Sequence, residues 1–205
     1  MAIKVANNQS LTAITALPAA VSGGAMTLLE TQTASSSATL SFTSNIDSTY
    51  DEYQFHWINC HPSATDPSFT FQADTGTNTS YNQTITSTSF TAQNREDGDS
   101  GQASVGYVGG YDQAQGTAFQ KLIGNIKNDS DGATSGILKL YSPSSSTFVK
   151  HFISVANTME NASPPVMSNF YGAGYFNTTT ALTRVQFKMS SGNIDSGVIK
   201  LYGIS

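Results

Sequence analysis

The chain has 205 residues, of which 38% are hydrophobic and only 11% charged, and its net charge is −5. This length suits one globular domain with an arm. The acidic balance and the scattering of Lys and Arg argue against a nucleic-acid partner, because a phosphate-binding surface needs clustered positive charge. The single cysteine, Cys60, excludes an internal disulfide and a cysteine-based zinc cluster.

The first residues, MAIKVANNQSL, lack the long apolar run of a signal peptide. No stretch of the chain approaches the roughly 18 consecutive apolar residues that suggest a membrane span. We therefore expect a protein that is made in a cytoplasm, is not exported by the general route and has no membrane partner.

Residues 1–34 differ in composition from the rest and are rich in Ala, Thr and Ser. One interpretation is a flexible leader, and another is an arm that docks on a partner. Apolar residues recur where a simple linker has few, which favours the docking arm. Its candidate contact residues are Leu11, Ile14, Leu17 and Val21.

Residues 35–205 are predicted to form one β-sandwich domain. Short segments rich in β-branched and aromatic residues alternate with clusters of Gly, Pro, Asn, Asp and Ser, and none has a sustained helical periodicity. This pattern predicts an all-β, antiparallel, jelly-roll-like sandwich of about ten strands. The predicted strand segments are 37–43, 52–60, 68–74, 82–92, 103–111, 118–127, 135–142, 150–159, 168–176, 183–191 and 196–204.

Two of these segments are nearly the same phrase: SGILKLYSP at 135–143 and SGVIKLYGIS at 196–205. Alternation predicts one aliphatic face and one amphipathic face in each copy, as in a strand at a sandwich surface. We expect each copy to close a hairpin. The inward residues are predicted to be Leu138, Leu140, Ile199 and Leu201, with Ile137, Lys139, Tyr141, Val198, Lys200 and Tyr202 outward.

The sequence GDSG at 98–101 is similar to the nucleophile segment of chymotrypsin-like proteases. That chemistry requires a His base, an Asp and an oxyanion hole around Ser100. The segment continues with Gln102, and none of the three histidines has the sequence context of that family. A polar hairpin tip is the better interpretation.

A metal site is suggested by His56, Cys60 and His61, because strand alternation predicts that His56 and Cys60 share a face. A zinc site needs further ligands, and a buried cysteine near an amphipathic histidine accounts for the same residues.

Acidic residues occur in two polar loops. NDSDG at 128–132 has the order of a calcium loop but lacks the bidentate Glu, and it equally suits a tight turn. Glu96, Asp97 and Asp99 lie in one short loop, whereas glycosidase carboxylates flank their substrate from rigid positions. The sequence therefore predicts no catalytic residue, no cofactor and no metal site, although calcium at these acidic loops remains open.

Several longer phrases together cover most of the β-region: TLLETQTASSSATLSFTSNIDSTYDEYQFHWINCHPSATD (27–66), TITSTSF (84–90), DQAQGTAFQ (112–120), YSPSSSTFVKHF (141–152), AGYFNTTTAL (173–182) and VQFKMSSGNIDSGVIKLYGI (185–204). These phrases, in this order, resemble a family of tailed-bacteriophage virion proteins. The resemblance implies a non-enzymatic β-sandwich protein of the virion, made in the host cytoplasm.

Within a virion, the first expectation is a capsid decoration or cement protein, a homotrimer bound to the major capsid protein on the outside of the shell. Low charge and an acidic balance suit a surface that faces away from packaged DNA. The alternatives are a tail-fibre or tail-tip module that binds a tail adaptor or host receptor, and a carbohydrate-binding sandwich.

Overall fold

The computed structural model describes residues 25–99 and 103–205, which form thirteen β-strands and one 3-10 turn at Gly109–Tyr111. The strands are β1 Met26–Ser37, β2 Leu40–Phe42, β3 Glu52–Pro62, β4 Phe69–Thr75, β5 Ile85–Arg95, β6 Ser104–Tyr107, β7 Ala114–Gly116, β8 Gln120–Ile123, β9 Thr134–Tyr141, β10 Lys150–Glu160, β11 Val166–Phe176, β12 Leu182–Met189 and β13 Ile194–Ile204. Within the described ranges, no helix is long and apolar enough to cross a bilayer.

The strands form two antiparallel sheets that pack face to face, so the predicted all-β sandwich is confirmed. The larger sheet has nine strands in the order β1-β13-β3-β9-β10-β11-β5-β6, with β7 also paired to β5. The smaller sheet has four strands in the order β2-β12-β4-β8.

Eight of these strands follow the order of a jelly roll, which is a pair of four-stranded sheets built from two Greek keys. The four larger-sheet strands β1-β13-β3-β9 face the smaller sheet, β2-β12-β4-β8. Successive strands of this set along the chain alternate between the sheets, except that β4 and β8 both belong to the smaller sheet. The remaining strands are insertions: β5–β7 lie between β4 and β8 in the sequence, and β10–β11 lie between β9 and β12. Both insertions join the same edge of the larger sheet and widen it.

Aromatic side chains from the two sheets meet in the core. Phe55 of the larger sheet lies 5.3 Å from Phe187 of the smaller one, and Trp57 lies 5.4 Å from Phe69, both measured between ring centroids. On the inserted strands, Phe152 meets Phe71 edge-to-face at 5.1 Å. Such aromatic pairs contribute about 0.5–1.5 kcal/mol beyond the area they bury. One continuous core therefore joins the jelly roll to its insertions.

The expected boundary between residues 34 and 35 falls inside β1. Residues from Met26 onward pair in register with β13, so the sheet begins earlier in the chain than the sequence pattern indicates. The reason is that β1 is an edge strand in which only Ala34 is buried, so it has no alternating apolar face for the pattern to detect. The other strand outside the predicted segments is the three-residue β7.

The repeated phrase forms β9 and β13, which lie on either side of β3. The predicted inward residues of both copies are fully buried. Neither copy closes a hairpin with the strand before it, which corrects that expectation. β9 follows β8 and β13 follows β12, so both copies are entered by a crossing from the smaller sheet to the larger. The acidic glycine-containing segments that precede them are arches between sheets.

Candidate docking face

The outer face of the larger sheet carries a set of exposed apolar side chains on the inserted strands. Alternation along β10 directs Phe152 and Ala156 into the core and leaves Ile153 and Val155 outside. The same alternation in β5 leaves Phe90 outside, between the inward residues Ser89 and Thr91. These strands cover the core with one face only, so their other face is free to contact another molecule.

Cross-strand register aligns the exposed residues into one row. Tyr107 of β6 is opposite Phe90, Phe90 is opposite Tyr171, Tyr171 is opposite Val155, and Val155 is opposite Ile137 of β9. We call these five residues the outer apolar row. The exposed fractions are 73% for Tyr107, 48% for Phe90, and 37% for both Tyr171 and Val155. Isolated exposed apolar residues are ordinary, but a contiguous patch marks an interaction surface.

Two rings at the centre of the row are stacked. The centroids of Phe90 and Tyr171 lie 4.9 Å apart with an angle of 9° between the ring planes. Ile153, which is also exposed, lies beside Phe90 and Tyr171 and extends the apolar surface. Directly paired aromatic side chains stabilise a sheet and hold each other in position. The row therefore offers a partner a fixed surface that needs little ordering on binding.

The row ends where the charged half of the same face begins. Ile137 is opposite His56 of β3, and His56 is opposite Lys200 of β13. Burial lowers the pKa of His56, and the positive charges of Lys139 and Lys200 lower it further. The Lys139 ammonium also contacts the Glu52 carboxylate at 3.4 Å. The outer face thus divides into an apolar half on the insertions and a basic strip on the jelly-roll strands.

The polar segment after β5, which includes GDSG, connects β5 to β6, and its residues 100–102 lie outside the described ranges. β5 and β6 pair antiparallel on either side of it. Arg95 contacts Asp97 at 2.6 Å and Asp99 at 3.3 Å, and its guanidinium lowers the pKa of Asp97 to about 2. Ser100 lies outside the described residues.

His56 and Cys60 do not share a face, which corrects the alternation argument. A register shift in β3 between Trp57 and Cys60, with Asn59 at a φ of 50°, reverses the side-chain alternation. Cys60 therefore lies fully buried in the core, where burial raises its pKa to about 12, while His56 stays on the outer face. His61 instead contacts the carbonyl oxygen of Gly132 through Nδ1 at 2.5 Å.

The NDSDG segment forms the arch between β8 and β9. Its Asp129 carboxylate lies 2.7 Å from the Lys127 ammonium, and the backbone N–H of Gly132 donates to the Asp129 carbonyl oxygen at 2.8 Å. Among residues 25–99 and 103–205, no group of three or more His, Cys, Asp or Glu side chains is placed to hold a metal ion. The four residues of the predicted docking arm, Leu11, Ile14, Leu17 and Val21, lie outside the described residues.

The outer apolar row was not predicted from the sequence, although part of its signal was present. Consecutive aromatic residues in a strand point to opposite faces, so one member of the Phe170-Tyr171 pair has to face outward. Phe90 is the single aromatic residue among the Thr and Ser residues of 86–91, and this isolated position also indicates a side chain that leaves the core. The alignment of these residues into one row depends on the order of the strands, and neighbouring positions in the chain do not specify that order.

The fold and this face define a β-sandwich protein of jelly-roll order with a one-sided apolar surface. No family model matches the chain, and no curated protein matches it either.

Proposed function

We propose that this protein is a non-enzymatic structural protein of a tailed-phage virion that docks on the particle through the outer apolar row. The observation that carries the proposal is the row itself, which is aligned across five strands and consists of the exposed Tyr107, Phe90, Tyr171 and Val155 and the half-buried Ile137. Interface cores are depleted in charge and enriched in Tyr and Phe, which matches the composition of this row. The phage assignment is supported by the sequence resemblance.

The proposed partner is the major capsid protein, which makes this chain a decoration protein that braces the outer shell. A broad sheet with a fixed apolar surface suits a repeated, flat contact with a shell. The low charge of the chain suits a protein held in an assembly more than one kept apart from its neighbours by repulsion. A homotrimer across a junction of capsid subunits is the proposed assembly.

The experiment is a count of this protein in purified virions, together with the heat stability of particles that lack it. The proposal predicts hundreds of copies per particle and deletion particles that release DNA at lower temperature but still adsorb to cells. A few copies per particle, with normal shell stability and lost adsorption, would instead place the protein in the tail as an adaptor-bound or receptor-binding module. Absence from the virion would overturn the proposal as a whole.

A further inference from the structure

A groove of about 560 Å³ lies on the outer face beside the row, at one end of the inserted strands. Three consecutive residues from each of β5, β11 and β10 line it, and Tyr141 at the end of β9 closes one side. Three neighbouring strands span two inter-strand spacings, about 10 Å. This volume lies within the range of natural small-molecule sites.

The groove exists because small residues replace large ones in the middle of β11. Ala173 lies between Thr88 and Ile153 in register. Its short methyl side chain leaves a depression between these two larger neighbours. The next residue, Gly174, allows the Phe152 ring to lie directly beneath the strand, because an added Cβ would lie only 2.6 Å from Cζ of that ring. The floor is therefore apolar.

Polar groups without internal partners surround this apolar floor. Within the described part of the chain, the hydroxyl groups of Tyr141, Tyr175 and Thr88 and the imidazole of His151 make no hydrogen bond. The His151 and Tyr175 rings contact each other at 5.9 Å between centroids, which fixes one wall of the groove. Four polar groups thus remain available for hydrogen bonds with a ligand that also covers an apolar floor.

We propose that this groove binds a neutral saccharide. A pyranose ring presents apolar C–H faces and a rim of hydroxyl groups, which complements an apolar floor with tyrosine rings and a rim of hydroxyl and imidazole groups. The lining contains no Lys, Arg, Asp or Glu, so no formal charge in it recruits or matches a charged ligand. The uncharged lining therefore favours a neutral sugar over an acidic one.

The groove adjoins the outer apolar row at Ile153, but the two proposals are tested on different residues. Phe90 and Tyr171 belong to the row, whereas Tyr175 and Ala173 shape the groove. A decoration protein that displays a saccharide site holds the particle near a glycan-coated surface, but either role stands without the other.

The test uses the full chain and saturation-transfer NMR with three neutral tetrasaccharides of the cellulose, amylose and chitin types, each at millimolar concentration. Wild-type protein should transfer saturation to at least one of them. Tyr175→Ala should weaken that binding by about tenfold or more, which corresponds to about 1.4 kcal/mol. Ala173→Gln, which fills the floor from an exposed position, should abolish it. Leu28→Ala, at an exposed position of β1 that belongs neither to the groove nor to the outer apolar row, should bind as wild type does.

Circular dichroism and the melting temperature of each variant establish that it is folded. If Tyr175→Ala does not fold, Ala173→Gln alone decides the matter. No transfer to any of the three sugars by the wild type overturns the proposal, as does equal transfer by the wild type and Ala173→Gln. Binding confined to a sulfated tetrasaccharide also overturns it, because the proposed ligand is neutral. Loss of particle incorporation in Tyr175→Ala and Ala173→Gln, without sugar binding by the wild type, would assign the groove to the docking face instead.

Discussion

The indole ring of Trp57 lies directly against Gly136, the glycine of the first copy of the repeated phrase. A Cβ added at Gly136 would collide with Cζ2 of that ring and with the carbonyl oxygen of Val155, and would lie 2.9 Å from Cα of Ala156. The indole N–H of Trp57 donates to the Thr134 hydroxyl at 3.3 Å, which holds the ring in this position. The absence of a side chain at Gly136 therefore leaves the space that Trp57, the largest side chain of the core, occupies.

Gly136→Ala should destabilise the fold by about 1–3 kcal/mol, because overpacking of a filled core forces side chains and backbone to shift. Gly106→Ala is the matched control, since a Cβ at Gly106 in β6 meets nothing within 4 Å. The control should be neutral or slightly stabilising, as glycine is a weak strand residue. Urea unfolding of the two variants measures the difference, and equal midpoints would contradict the account of Gly136.

Gln72→Leu should cost about 1–3 kcal/mol, the penalty for leaving buried polar groups without partners. The fully buried Gln72 amide donates to the carbonyl oxygens of Gln83, Thr117 and Ala118 at 3.0, 3.3 and 3.1 Å. One side chain thus ties two loops to the smaller sheet.

The matched control for Gln72 is Gln186, its cross-strand neighbour in β12. Gln186 donates to the Ser41 hydroxyl at 2.8 Å and is only partly buried. Gln186→Leu should therefore cost about 1 kcal/mol or less. Thermal unfolding of both variants provides the comparison, and a larger loss in Gln186→Leu would refute the assigned role of Gln72.

Cys60 should not react with Ellman's reagent at pH 8 in the native protein. Burial raises its pKa to about 12, so the reactive thiolate is scarce and also inaccessible. Reaction should follow unfolding in urea. Thr88→Cys, at an exposed position of β5, should react within minutes in the native state and serves as the control. Rapid labelling of native wild-type protein would place Cys60 outside the core.

Stability should rise with pH through the range just below 6.5 because of His56. Its pKa is lowered in the folded state, first by burial and then by Lys139 and Lys200, so the unfolded chain binds the proton more readily. Acidification below the ordinary pKa of 6.5 therefore favours unfolding. His56→Gln should remove this contribution, and the gap between the two unfolding free energies should change between pH 8 and pH 5. A gap that stays constant over that range would contradict the shift.

The alternation of side chains predicted most of the strands and their inward faces. The core residues Phe55, Trp57 and Leu138 follow from period-two patterns within single segments. The reversal at Asn59 does not, because a bulge depends on the pairing of β3 with both of its neighbours. The edge strand β1 was missed because pairing to β13, with little burial, holds it in place.

The outer apolar row also could not be predicted from side-chain alternation within single strands. Each residue of the outer apolar row belongs to a predicted strand, but β5 and β11 become neighbours only through a pairing between distant parts of the chain. Phe90 and Tyr171 contact each other although 80 residues intervene. Periodicity indicates that these side chains leave the core, and strand order alone decides that they meet.

The central claim is that the outer apolar row attaches the protein to the virion. Its most direct measurement is the number of copies incorporated when deletion particles are supplied with the folded double variant Phe90→Gln/Tyr171→Gln. The matched control is Leu28→Gln, an exposed apolar residue on β1 at the opposite edge of the sheet. We predict that quantitative mass spectrometry finds the control at the wild-type copy number and the double variant reduced about tenfold or more, since central aromatic residues dominate interface energies. Incorporation of the double variant at the wild-type level would contradict the account.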